Sequence, residues 1–365
     1  MPPAASSDTA GNPAPRPSTA IAWADPAREA AFEAWFASVT DAHGLRRESL
    51  VPASADASFR RYFRVQAQVG SLIVMDAPPP QEDVRPFVRM ARRIAAAGLN
   101  APAVLAADET QGFLLLGDLG HELYLHRLQQ CDAPEADHLM RQALQALVHF
   151  QQQVPADDLP PYDEALLARE LALFPEWCVQ REFGITWNDK ERAAWDRVCR
   201  SLIDSALAQP QVAVHRDWMP RNLMLADPIP GILDFQDAVR GPVTYDVASM
   251  LRDAFLSWEE EREIDWAVRW WEQARRAGVP LGEAMAHDFG EFWRALEWMG
   301  LQRHLKVLGI FCRLKHRDGK PAYAADLPRF FAYATKVANR YAPLRPLLPL
   351  LAPMSGQRVG EGFTF

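Results

Sequence analysis

Cysteine is scarce here: four residues in 365, Cys131, Cys178, Cys199 and Cys312, scattered without a CxxC pair and without clustered histidines. That pattern excludes a disulfide framework and a zinc site. It fits free thiols in a reducing cytoplasm. Basic residues are also in deficit, with 39 Lys and Arg against 47 Asp and Glu for a formal net charge of −8. Non-specific nucleic-acid binders present basic faces, so that class is excluded. No apolar run approaches the roughly 20 residues needed to cross a bilayer. The opening MPPAASSDTAGNPAPRPSTA lacks a basic start followed by an apolar stretch, so it is not read as a secretory signal. Its Pro/Ala/Ser content predicts a disordered tail over 1–25. No repeat shows at solenoid periods. What is present is a 365-residue chain, 49% hydrophobic, long enough for two lobes with cores of their own. The expectation is a cytoplasmic monomer.

After the tail, Ala31, Phe32, Trp35, Phe36 and Val39 recur at helical spacing and predict an amphipathic helix over 26–42. Segments 58–67 and 71–77 read as strands around a turn at Val69–Gly70. A helical pattern over 82–97 closes at Gly98. Segments 104–107 and 112–116 form another strand pair. From Leu123 the pattern turns helical, over 136–153, 166–182, 188–207, 245–256, 260–277, 281–314 (broken near Gly290) and 327–341. The expected fold class is α+β: a small antiparallel-sheet lobe over 26–116, then a larger, mostly helical lobe over 117–365.

The segment 212–235, VAVHRDWMPRNLMLADPIPGILDF, interrupts the helices with short apolar runs around a Pro/Gly turn. It places His215, Asp217, Asn222 and Asp234 in one hairpin-like unit, and two strands joined by that turn bring Asn222 and Asp234 to the same end. A lone Asn or Asp in a turn is usually turn chemistry. Four residue types in this order, H-R-D-x-x-x-x-N and then Asp, resemble the catalytic loop and metal-binding Asp of protein kinases. Phosphoryl transfer needs positioning and charge neutralisation more than covalent help. Asp217 is then the carboxylate for the attacking hydroxyl. Asn222 and Asp234 offer the oxygen ligands that Mg²⁺ takes.

Further stretches sharpen the resemblance. HRDWMPRNLM, GILDFQDAVRGPVTYDVASMLRDAF and the linker-like LLGDLG (115–120) are similar to the aminoglycoside phosphotransferase group of kinase-fold enzymes. DASFRRYFRV (56–65), LIVMDAPP (72–79), ELALFPEWCVQREFG (170–184), ILDFQDAVRGPVTYDVASMLRD (232–253) and LQRHLKVLGIFCRL (301–314) resemble the bacterial anomeric kinases of cell-wall recycling. Those enzymes phosphorylate N-acetylmuramate and N-acetylglucosamine at C1. The resemblance implies ATP, Mg²⁺, a bilobal protein-kinase-like fold, and Leu116 and Asp118 beside the nucleotide. Alternatives are a kinase of another small alcohol (aminoglycoside, choline or homoserine) or a nucleotide-binding pseudokinase.

Two departures matter. No GxGxxG joins the first strands, where 55–59 reads ADASF, and strand 72–75 ends in Met75 where a phosphate-pairing Lys is expected. Ser58, Arg60 and Arg61 are the candidates for the nucleotide phosphates, since a guanidinium grips phosphate bidentately; the alternative is solvated arginines on an edge strand. Arg221, inside the loop, is placed to steady the transferring charge. Asp246 is expected to form a buried ion pair with Arg216. Gln236 and Asp237 face the acceptor sugar or support the metal Asp. Glu170, Trp177 and Trp187 offer a sugar-stacking wall with a hydroxyl acceptor, or are core. Between Glu291 and Lys320 there are seven Lys/Arg and three acids. The stripe Gln302, Arg303, Lys306 and Arg313 suits a lactyl carboxylate better than a polycationic acceptor, unless it is a solvated helix face.

Overall fold

The computed structural model describes residues 21, 23–54 and 59–355. Most of the expected tail, and Ser58 with its turn, lie outside the described residues. Tertiary contacts divide the described residues into two compact units, those up to 84 with 104–118, and 85–103 with those from 119 onward.

The first unit begins with α1 (Pro26–His43). Asp25 caps it by accepting from the Ala27 amide, Pro26 opens it, and Gly44 closes it at φ 60, a left-handed value that glycine adopts freely. Asp25 and Trp23 therefore belong to the folded unit although the expected tail ran to residue 25; the Trp23 ring lies 4.9 Å from Phe32. Five antiparallel strands follow: β1 (Val51–Ser54), β2 (Arg61–Gln66), β3 (Ser71–Asp76), β4 (Val104–Asp108) and β5 (Phe113–Gly117), in the order β1-β2-β3-β5-β4. The sequence reading missed β1, which carries Pro52 and is confined to the sheet edge for that reason. Phe32, Trp35 and Phe36 of α1 pack on Phe63, Val65, Val74, Phe113 and Leu115 of the sheet.

The second unit takes α2 (Arg85–Ala96), which the sequence boundaries assign to the first. Its Phe87 ring sits 4.7 Å from Phe235. The helices α3 (Tyr124–Leu128), α4 (Ala133–Gln153), α5 (Glu164–Leu173), α6 (Asp189–Leu207), α7 (Tyr245–Leu251), α8 (Glu260–Ala277), α9 (Gly282–His287), α10 (Phe289–His316), α11 (Leu327–Arg340) and α12 (Leu348–Ser355) build the rest. Segment 166–182, expected as one helix, is α5 followed by a π-helix over Phe174–Glu182, where Pro175 supplies no amide donor. The long α10 packs against α5, the π-helix, α7 and α11. Gly309 allows a close approach of α10 to the end of α5, since a Cβ there would lie 2.5 Å from the Leu173 backbone. Two small strand pairs interrupt the helices: β6 (Gln211–Val214) with β9 (Val239–Pro242), and β7 (Leu223–Met224) with β8 (Gly231–Ile232).

Candidate active site

The loop leaves β6 at Val214, whose strand is buried and paired with β9. His215 is fully buried. Its ring Nε2 meets the Leu233 carbonyl at 2.9 Å, and its Nδ1 meets the Asp217 amide at 3.3 Å. A carbonyl only accepts, so Nε2 carries the proton and Nδ1 is left to accept from Asp217. This neutral tautomer agrees with burial, which pulls the imidazole down to about 4. On the other side, the Leu233 amide donates to the Asn222 carbonyl at 2.9 Å, and the Asn222 side-chain amide donates to the Asp217 carbonyl at 3.0 Å. Residues 217, 215, 233 and 222 are thus closed into one ring of four hydrogen bonds. Asp234 follows Leu233 directly, and β7–β8 pairing (Leu223 to Ile232) places Asn222 and Asp234 at the same end of the hairpin.

Two residues of this element have positive φ without being glycine: Arg216 at 78° and Asp234 at 61°. Such geometry costs on the order of 1–3 kcal/mol each and persists only where the surroundings enforce it. Around Arg216 the enforcement is visible. Asp246, buried in α7, accepts the His215 amide at 2.7 Å and the Arg216 amide at 3.0 Å. The expected Arg216–Asp246 ion pair is therefore corrected: Asp246 holds backbone, and the Arg216 guanidinium reaches Glu170 of α5 at 2.7 Å. Burial pushes the Asp246 carboxyl up to about 7 despite its two amide donors. Asp234 accepts from the Gln236 side chain at 2.7 Å.

Glu170 is 5% exposed. One carboxylate oxygen takes Arg216 and the Lys306 ammonium at 3.0 Å. The other takes the Tyr162 hydroxyl and the Gln302 amide at 3.3 Å. Burial alone raises a carboxyl, but Lys306 and Arg216 beside it hold Glu170 down at about 2. Its expected role as an acceptor for a sugar hydroxyl does not fit, because both oxygens are engaged internally. Arg303 is 5% exposed, lies 5.2 Å over the Tyr245 ring, and interacts electrostatically with Asp217 and Asp246. Of the Lys and Arg between Glu291 and Lys320, Arg303 and Lys306 of the stripe face this cluster, whereas Arg294, Lys315 and Arg317 pair with Glu291, Glu182 and Asp318.

The remaining candidates divide. Arg221 is exposed and lies 5.2 Å over the Phe255 ring, and Asp237 is exposed beside Gln236. Trp177 is half-buried with the Arg181 guanidinium 4.8 Å above it, a face suited to stacking. Trp187 is core, 7% exposed and 5.5 Å from Trp195, which corrects its place in a sugar wall. In the first unit, Arg61 forks onto the buried Asp76 and lies 3.9 Å over Trp23, and Arg28 takes the other Asp76 oxygen at 2.5 Å. A buried carboxylate demands such partners, so Arg61 is committed to Asp76, against the expectation of a phosphate contact. Arg60 lies 3.4 Å from Glu82. Asp118 accepts from Arg64 at 2.6 Å and from the Ser71 hydroxyl at 2.6 Å, and the Leu116 side chain is buried in the sheet. Met75 is fully buried. Sequence reasoning missed Asp76 and Tyr162; Asp76 gave a signal, an acid ending an otherwise apolar strand.

Among the described residues no three His, Cys, Asp or Glu side chains are grouped to hold a metal ion, and no helix is long and apolar enough to cross a membrane. The sequence profile of the phosphotransferase enzyme family matches residues 49–299. The chain is 53% identical over 307 residues to the N-acetylmuramate/N-acetylglucosamine kinase of Pseudomonas putida, covering 84% of this chain and 88% of that one. It is 47% identical over 317 residues to the kinase of the same name from Neisseria meningitidis, covering 86% and 93%. Among solved structures, the choline kinase LicA of Streptococcus pneumoniae superposes with a TM-score of 0.58 at 10% identity, covering 85% of this chain and 99% of that one. An ADP-bound aminoglycoside phosphotransferase, APH(2'')-Ib, gives 0.55 at 12% identity, covering 83% and 97%. At those identities the likeness concerns the fold alone, which is protein-kinase-like.

Proposed function

The chain belongs to the phosphotransferase enzyme family, and from that premise we propose an ATP-dependent sugar kinase that phosphorylates the anomeric hydroxyl of N-acetylmuramate, N-acetylglucosamine or both. The observation that carries this reading is the hydrogen-bonded ring through Asp217, His215, Leu233 and Asn222. It fixes the backbone on which a base and two hard oxygen donors are mounted. Asp217 accepts the proton of the attacking hydroxyl. Asn222 commits its amide nitrogen to the Asp217 carbonyl, so its oxygen is the atom left for a cation. That oxygen and the Asp234 carboxylate fit Mg²⁺, which takes one or two protein oxygens and completes its shell with phosphate and water. When bound, the ion neutralises the phosphate charge.

Around this centre, Arg221 steadies the transferring phosphoryl group. In the first unit, Leu116 and Asp118 are assigned to the nucleotide, through backbone at Leu116 because its side chain is buried. Gln236 and Asp237 face the sugar, Trp177 offers a stacking face, and Arg303 attracts the lactyl carboxylate of N-acetylmuramate. The names of the relatives support the amino-sugar acceptor. The need for ATP supports a cytoplasmic setting.

The test is ATP consumption with N-acetylmuramate, N-acetylglucosamine, kanamycin and choline in parallel, followed by phosphorus NMR of the product. The expected result is turnover with the amino sugars and a phosphorus resonance coupled to the anomeric proton. Turnover confined to kanamycin or choline overturns the sugar assignment, and Mg²⁺-ATP binding without turnover of any acceptor makes the protein a pseudokinase.

A further inference from the structure

We propose that Glu170, although 46 residues from Arg216 in sequence, is a positioning residue for Asp217 and acts through the Arg216 guanidinium. This rests on the reading of Asp217 as the base. The residue before Asp217 is held at φ 78, a conformation that side-chain-bearing residues leave unless something prevents it. Two anchors are present. Asp246 fixes the amides of His215 and Arg216, and so the chain up to Arg216. The peptide that follows, whose N–H belongs to Asp217, lies beyond that clamp. Its rotation is limited by the Asp217 amide on His215 Nδ1, a long bond at 3.3 Å, and by where the Arg216 side chain is tied. That tie is Glu170.

Glu170 is suited to be a fixed point. It is buried, it is an anion, and four donors from three parts of the fold meet it: Arg216, Tyr162, and Lys306 with Gln302. Lys306 and Gln302 stand on α10, so the catalytic loop is referenced to the longest helix of the unit rather than to its own hairpin. A charged, bidentately shared carboxylate cannot be reproduced by a neutral amide, which accepts at one atom only. The same arrangement explains why an acid stands in the middle of an otherwise apolar helix face with Leu167 and Leu171.

The experiment compares Glu170→Gln, Arg216→Met and the double variant in the full-length protein. Steady-state kcat and KM for N-acetylmuramate and ATP are measured, with the folded fraction counted by thermal melting. A small displacement of a reacting group costs on the order of 100-fold in rate. Each single variant is therefore expected to lower kcat by about that factor and to leave the sugar KM within about threefold. The double variant should be no worse than the poorer single by more than about threefold, since both break one link. A raised sugar KM with kcat kept makes Glu170 a substrate contact and overturns the proposal. Wild-type kcat per folded molecule overturns it as a purely structural role, and a double loss equal to the product of the singles overturns the link through Arg216. If Glu170→Gln does not fold, Arg216→Lys keeps a cation but loses the terminal guanidinium nitrogen that reaches Glu170; a kcat loss at constant KM then supports the link and an unchanged kcat refutes it. Asp217→Asn run alongside separates the two readings, because full activity there removes the base itself, whereas an inactive Asp217→Asn beside a fully active Glu170→Gln removes only the positioning role.

Discussion

Acid should weaken the fold at His215, and the size of that contribution follows from its surroundings. The imidazole is fully buried, and both of its nitrogens are engaged in the neutral form. Burial lowers its folded pKa to about 4 from the ordinary 6.5, so between those values the unfolded chain binds a proton that the native state refuses. Stability then rises with pH, is fully present above the unfolded value, and is lost as pH falls from 6.5 toward 4. At about pH 5 the expected loss relative to about pH 8 is on the order of 2 kcal/mol. Asp246 acts in the opposite sense: its folded pKa is raised to about 7, so it contributes stability at low pH that is lost as pH rises through that value. The two effects are separated by comparing the wild type with His215→Gln, whose amide can still donate to Leu233 and accept from Asp217 but does not titrate. Urea unfolding at both pH values should show the wild type losing about 2 kcal/mol more than the variant. Equal losses, within about 0.5 kcal/mol, would refute a neutral His215 at the centre of the ring.

Three further outcomes are expected. Gly231→Ala brings a Cβ to 2.9 Å from Leu119 Cδ1, 3.1 Å from the Met224 Cβ and 3.2 Å from the Ala226 Cβ. It should cost about 1–3 kcal/mol in chemical denaturation and reduce kcat as well, because the displaced strand leads into Asp234. Asp246→Ala strands the buried His215 amide and the partly buried Arg216 amide, an unsatisfied buried donor costing about 1–3 kcal/mol, so the melting temperature should fall steeply at neutral pH; an unchanged melting curve would show that water replaces the carboxylate. Asn222→Ala removes one proposed cation ligand and should raise the Mg²⁺ concentration needed for half-maximal rate by about tenfold or more, read by titrating Mg²⁺ at fixed ATP, whereas an unaltered Mg²⁺ curve would take Asn222 out of the cation site.

Local rules made much of this legible. Asp25, Pro26 and Gly44 mark the ends of α1 as caps do, and Asp227–Gly231 supplies the turn that pairs β7 with β8. The loop residues were legible because their order along 20 positions is itself the signal. What stayed hidden is long-range pairing of charges. Nothing near Arg61 in sequence says that Asp76 claims it, and nothing near Arg216 says that Glu170, rather than Asp246, receives its guanidinium. The sequence likewise offers Trp177 and Trp187 as one aromatic wall but does not say that Trp187 is buried against Trp195 while Trp177 stays half-open. The π-helical turn after Leu173 also lies opposite Gly309 of α10, a contact that no window of local sequence contains.

The most direct measurement is the rate of Asp217→Asn with saturating N-acetylmuramate and ATP, paired with calorimetric nucleotide affinity of the same protein. With the base removed and the hydrogen-bonded ring left in place, kcat should fall roughly 10²–10⁴-fold while nucleotide binding is kept. Turnover at the wild-type rate would contradict the assignment of proton transfer to this loop.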